Sequence, residues 1–284
     1  MDNSEAEQQP LTAEDIARRL ATAHVSEEAG SSDKPKRWAL TSLVVDNLVG
    51  FIQNPSERWY LGIPEVDIAT RGVGRGELML VVGRSHTGKS QVLLNSIVSN
   101  LVNNPASHIV IFSMDEPREL VVMKLFCLLR GKSSDVVENL IKEQDKEILD
   151  DLERAAKEEL SRVAIITGVT TKAQAVKRWA KTQRVPVGLV HQAGRGSGDK
   201  GKAAGIYAGR YGGEQEAIFV LEVYRQKDRY DLSEWEKKYH ANSVNLNLCK
   251  NKRTARLNDQ VYYIDPECGH VHPYWEELIP DVNV

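Results

Sequence analysis

The 284-residue chain is 41% hydrophobic and 27% charged, enough to bury a core without disulfides or a structural metal. Three cysteines (Cys127, Cys249, Cys268) are too few for a disulfide framework, no apolar run approaches the ~18 residues of a membrane span, and the opening MDNSEAEQQP is too acidic for a secretory signal; a cytoplasmic protein is expected, with no membrane contact. The net charge of −3 hides a gradient: residues 110–160 carry 13 acidic against 8 basic residues, and residues 170–256 carry 18 basic against 8 acidic. A basic half of this kind can attract a polyanion or simply present a solvated face.

Residues 1–36 are polar and read as a flexible arm with one helical island, about 13–24, capped by Thr12 with Leu11 and Ile16 at hydrophobic-staple spacing. Residues 37–58 read as a linker and lead-in. From residue 59 to 284 the pattern is that of one domain in which strands alternate with helices. Strands are predicted at Glu77–Val82, His108–Phe112, Arg162–Thr167, Val185–Val190, Ala217–Tyr224 and Ser243–Cys249. Helices are predicted at Gln91–Val102, Glu119–Leu129, Val136–Leu160 (one long helix capped by Ser134) and Lys172–Thr182. Gln260–Ile264 and Cys268–His272 are predicted to close a terminal hairpin. Continuous apolar strands such as IVIF (109–112) predict a parallel α/β sheet covered on both faces, and the late run of strands predicts an antiparallel extension.

Gly83-Arg84-Ser85-His86-Thr87-Gly88-Lys89-Ser90 satisfies G-x-x-x-x-G-K-[ST] between a predicted strand and a predicted helix. In such a loop the glycines let backbone N–H groups curl around phosphates, and the helix N-terminus adds a favourable dipole. Lys89 is the candidate for the β- and γ-phosphates of ATP, and the Ser90 hydroxyl for Mg²⁺.

Around this loop the residues resemble those of DnaB-type replicative DNA helicases. Gly62-Ile63-Pro64-Glu65-Val66-Asp67 and Gly74-Arg75-Gly76-Glu77-Leu78 lead into the loop strand in that family's order. The resemblance implies an α/β, RecA-like P-loop NTPase fold over residues 59–265, a phage-like stand-alone motor working on single-stranded DNA as a homo-hexamer, and a replication loader or primase as partner. It implies that Asp115 or Glu116, after the apolar strand, polarises the attacking water. Both acids also suit a helix cap. Gln192, after Val185–Val190 and His191, would sense the γ-phosphate. Residues 194–213 hold 8 of the 20 glycines with Arg195, Lys200, Lys202 and Arg210, and would follow a phosphodiester chain in the channel; a plain linker is the alternative. Gly213-Glu214-Gln215-Glu216-Ala217 before IFVLEVYR is a further match, with Glu216 where the family has Asp. Lys250, Lys252 or Arg253 would reach a neighbouring subunit's nucleotide.

The family's Walker B strand, an apolar run ending in Asp, is not found. Either Val163–Thr167 moves into its place without the carboxylate, or the sheet lacks an inner strand. Glu222, in mid-strand, is a poor substitute. This leaves a nucleotide-gated DNA-binding scaffold with little turnover as one alternative, and a recombinase-type ATPase as another. Cys249, Cys268, His270 and His272 are weighed as zinc ligands, against an irregular spacing.

Overall fold

The computed structural model describes residues 57–113, 116–167, 173–192, 215–253 and 257–273, with positions 49, 52 and 53. The predicted helix at 13–24, Asp115 and the glycine-rich basic segment with Arg195, Lys200, Lys202 and Arg210 lie outside the described residues.

A short helix, α1 (Pro64–Thr70), explains the G-x-P-x-x-D signature. Pro64 sits in its first turn, where a missing N–H costs nothing. The Asp67 carboxylate folds back to accept N–H bonds from Leu61 (2.7 Å), Gly62 (2.8 Å) and Ile63 (3.1 Å). Gly62 has φ 76°, in the left-handed region that lets three successive N–H groups converge on one acid. The pattern thus encodes a closed turn that leads the chain under the sheet.

β1 (Leu78–Gly83) is buried at every position. It feeds the loop and then α2 (Lys89–Asn103). There follow β2 (Ile109–Ser113), α3 (Arg118–Arg130), α4 (Ser134–Lys142), α5 (Lys146–Lys157), β3 (Val163–Thr167), α6 (Ala173–Gln183) and β4 (Val187–Gln192). β5 (Phe219–Tyr224), α7 (Glu234–Tyr239), β6 (Ser243–Asn251), β7 (Leu257–Ile264) and β8 (Val271–Pro273) complete the described elements.

Among the described residues six strands form one sheet in the order β4-β1-β5-β6-β7-β8. β1 pairs in parallel with β4 and with β5. β5 to β8 are antiparallel neighbours, as the late run of strands predicts, and β7–β8 is the expected terminal hairpin. β2 and β3 pair in parallel as a separate two-stranded sheet. The first alternative for the missing strand is therefore corrected, while the second agrees with the two separate sheets among the described residues. Val163–Thr167 pairs with β2, not β1, and β1 is paired on both edges because β4 lies beside it. The break falls between the β2–β3 pair and the larger sheet. IVIF is consequently half-buried rather than buried, with Phe112 39% exposed.

Two cores meet at α2. Val92 of α2 packs with Met79, Val81, Leu221 and Val223 of the large sheet. Leu94, Ile97 and Leu101 pack with Leu125 and Phe126 of α3, Val137 of α4 and Ile148 of α5, against Ile109 and Val163 of the small sheet. A third cluster, Leu78, Leu80, Val82 and Val220, covers the opposite face beneath α6. The predicted single helix 136–160 is two helices. Gln144 takes φ 56°, and the Asp145 side chain caps α5 by accepting from Ile148 N at 3.0 Å. Asp145 supplies a better helix start than a continuing turn, so the chain stops and restarts. Ser133, not Ser134, caps α4.

Candidate nucleotide site

The loop emerges where β1 ends at Gly83, on the C-terminal edge of the parallel strands, the usual ligand-binding edge of an α/β sheet. A Cβ at Gly83 would fall within the radius of Val223 O, so only glycine lets the chain turn there. Gly88 takes φ 97° and packs under Ile264, and His86 also takes a positive φ of 63°. Thr87 is buried and donates to Arg84 O at 3.0 Å, which stitches the loop across its mouth.

Lys89 opens α2 and is 9% exposed. Its Nζ donates to Arg84 O inside the loop. Burial holds its pKa below the ordinary lysine value. Among the described residues Lys89 and Glu222 are the only charged side chains that are buried, and a buried cation at a helix N-terminus suits an anionic ligand. Ser90, the next residue, is exposed at the loop surface. These residues fit a phosphate group, and the Ser90 hydroxyl is available to an accompanying Mg²⁺.

β4 ends level with the loop, with His191 opposite Val82 and Gln192 opposite Gly83. The Gln192 side chain donates to Ser85 Oγ, so the predicted γ-phosphate sensor does touch the loop. Glu116 is placed less favourably for water activation. It forms an ion pair with Lys124 of α3 at 2.6 Å, and its backbone N–H bonds Ser113 Oγ at 3.3 Å. That arrangement ties the strand-to-helix turn to α3 through an ion pair and a serine turn, with no side chain capping the helix.

Of the three candidate trans-acting cations, Lys252 is exposed at the end of β6. Lys250 donates to Gln215 O at 3.4 Å. Arg253 is built into its own domain: its guanidinium donates to Thr70 O (2.7 Å) and Gly72 O (2.8 Å), pairs with Glu77, and lies 5.2 Å from the Phe219 ring centroid. Asn251 adds a bond to Ala69 O at 2.8 Å. The end of β6 thus caps the carbonyls of α1.

Glu216 forms an ion pair with Lys177 of α6 at 2.8 Å. Glu222 lies in β5 directly beside β1, opposite Val82, and accepts from Cys249 Sγ at 3.4 Å. Burial, reinforced by the Glu222 charge, pushes the Cys249 thiol up to about 12. The sequence places Glu222 in mid-strand but gives no sign that it lies next to the loop strand; only the strand order brings it there. The four residues weighed for zinc do not converge. Cys268 Sγ bonds Asp265 at 3.2 Å, His270 contacts Leu128 O at 2.7 Å, and His272 meets the Tyr263 ring at a tilt of 55°. Among the described residues no group of three or more potential ligands surrounds a common point, and no helix is long and apolar enough to cross a membrane.

Residues 60–185 match the family model of the DnaB-like helicase C terminal domain. No curated protein matches in sequence. Among solved structures, the ATPase domain of a helicase aligns with a TM-score of 0.66 at 14% identity, over 83% of this chain and 99% of that one. A structure described as a DnaB-like replicative helicase and its interactions with primase aligns with a TM-score of 0.63 at 14% identity, over 92% of this chain and 71% of that one. In sequence over residues 60–185, and in its α/β RecA-like fold over most of its length, this chain is similar to the C-terminal ATPase domain of DnaB-like helicases.

Proposed function

We propose that the chain is an ATP-dependent motor of the DnaB-like helicase type, acting in DNA replication on single-stranded DNA as a ring, with a hexamer the expected assembly and a loader or primase the expected partner. The observation that carries this reading is the loop itself: a buried Lys89 at a helix N-terminus, glycines that admit no side chain, and Gln192 of the neighbouring strand bonded to Ser85. In this reading residues 83–90 bind the phosphates of ATP, with Lys89 as the charge partner and Ser90 holding Mg²⁺. The ion neutralises phosphate charge when bound. Gln192 reports the state of the terminal phosphate by exchanging its bond to Ser85 for one to the ligand.

Asp115 is proposed as the water-positioning acid, because Glu116 is occupied by Lys124. Lys252 is proposed as the cation that acts on a neighbouring subunit's nucleotide, with Lys250 behind it. Arg253 remains within its own domain. Arg195, Lys200, Lys202 and Arg210 are proposed to contact the DNA backbone. The domain division proposed is an arm at 1–36, a lead-in at 37–58 and the motor domain from 59 onward.

One observation favours a second reading, a nucleotide-gated scaffold with little turnover. Of the two strands beside β1, β4 ends in His191-Gln192 with no carboxylate at its tip, and β5 carries its acid, Glu222, in mid-strand. Steady-state ATP hydrolysis with and without single-stranded DNA, for the wild type and Lys89→Ala, separates the two. The motor requires DNA-stimulated turnover that the substitution abolishes. Nucleotide binding without turnover would leave the scaffold, and absence of both would remove the nucleotide reading.

A further inference from the structure

The sheet edge that carries the loop carries a second cationic group. β5 runs parallel to β1 with Glu222 opposite Val82, which brings Val223 beside Gly83. Two residues further, the chain leaves the sheet at Arg225. Its backbone is still extended (φ −124°, ψ 123°), so the strand alternation continues through it. Arg225 therefore falls on the same face as Leu221 and Val223, the face against which α2 packs through Val92. Tyr224 pairs with Asn245 of β6, which sets Arg225 level with Val244. Val244 in turn lies 3.9 Å, and Ile264 2.9 Å, from the Cβ position of Gly88, the residue before Lys89. Sheet register and loop packing thus bring Arg225 to the Gly88–Lys89 end of the loop. Lys227 follows within the single 3₁₀ turn Gln226–Asp228.

The surroundings of Arg225 differ from those of Arg130 and Arg162. Arg130 is held by Asp151 and Glu159, and Arg162 by the carbonyls of Leu101 and Asn104. Arg225 Nε is buried with no hydrogen-bond partner among the described residues. Burial holds the Arg225 guanidinium below its ordinary value, partly offset by Asp228. Burial, and then the charge of Arg225, holds Lys227 below its own. Two partly desolvated cations side by side are relieved by a bound anion.

We propose that Arg225, with Lys227 beside it, forms a second phosphate-binding group for the nucleoside triphosphate seated on the loop of the same chain. The proposal rests on the nucleotide reading of residues 83–90 and extends it to the opposite flank of the loop from Gln192. A DNA phosphodiester offers the same chemistry, and the test separates the two sources.

The test titrates the full chain with a fluorescent ATP analogue in Mg²⁺, comparing wild type, Lys89→Ala, Arg225→Ala, Arg225→Lys, Lys227→Ala and Arg229→Ala, each checked for folding by thermal melting. Arg225→Ala is expected to weaken binding by about tenfold or more, the loss of a charge-assisted contact. Arg225→Lys, which keeps the charge but not the fork, is expected to fall between, and guards against an alanine variant that does not fold. Arg229, paired on the surface with Asp231, is expected to change nothing. A wild type that binds nucleotide, with Lys89→Ala defective and both Arg225 variants unchanged, overturns the proposal while leaving the loop reading intact. So does a loss confined to nucleotide-free binding of an oligothymidylate, which assigns the site to the phosphodiester. A wild type that binds no nucleotide overturns both.

Discussion

Arg253→Ala separates two uses of one arginine. Within the domain the guanidinium meets Glu77, two carbonyls at the end of α1 and the face of Phe219. The ion-pair side chains are only 18% and 21% exposed, so the pair is mostly shielded from water. Removing one partner of a fully buried pair costs about 3–5 kcal/mol. The residual exposure lowers that figure, while two orphaned carbonyls raise it, because Thr70 and Gly72 lose their donor. A net loss of about 3 kcal/mol is expected, a fall in Tm of about 6–12 °C for a domain of this size. The assay is thermal unfolding followed by circular dichroism, with nucleotide binding measured below the transition. Arg253→Lys is expected to recover part of the loss, since it restores charge but not the three-way fork. A melting temperature unchanged in Arg253→Ala, with hydrolysis lost, would refute this reasoning and return Arg253 to the subunit interface.

Gly83→Ala is expected to lose about 1–3 kcal/mol of stability, because its Cβ meets Val223 O; a chemical-denaturation midpoint equal to that of the wild type would contradict the tight turn. Lys89→Ala is expected to leave the ligand-free protein as stable as the wild type or more so, since a cation that burial disfavours is removed; differential scanning calorimetry measures this. Gln192→Ala, which breaks only the bond to Ser85, is expected to bind nucleotide but to lose its DNA-stimulated hydrolysis, as steady-state assays would show. Burial pushes the Asp67 carboxyl up to about 6 against the pull of three backbone N–H donors. Its folded value then exceeds its unfolded one, so its stability contribution is full below about pH 4 and is lost as pH rises through about 6; a carboxyl titration followed by NMR that places Asp67 below 4 would reverse the sign.

The loop and its flanking strand and helix were legible because glycine, lysine and serine spacing has one backbone solution between a strand and a helix. The G-x-P-x-x-D segment was legible as a pattern, but its cause, one acid closing on three N–H groups, is a property of the folded turn. The long helix failed at Gln144, where an αL residue and the Asp145 cap break a continuous apolar stripe that periodicity alone cannot interrupt. Strand order was the least accessible property. Local pattern does not say that β4 and β5 both flank β1, and without that order Glu222 is an isolated acid and Arg225 merely the end of a strand. Arg253 was misleading for a related reason: a cation after a strand looks available until the fold brings α1 against it.

Whether residues 83–90 hold a nucleoside triphosphate is tested most directly by the melting temperature of the wild type and of Lys89→Ala, with and without Mg²⁺-ATP. At a ligand concentration near 100 Kd, linkage gives about 2.7 kcal/mol, or an upward shift of about 5–10 °C. That shift is expected in the wild type and none in Lys89→Ala. Equal shifts in the two proteins, or none in either, would contradict the assignment of the loop.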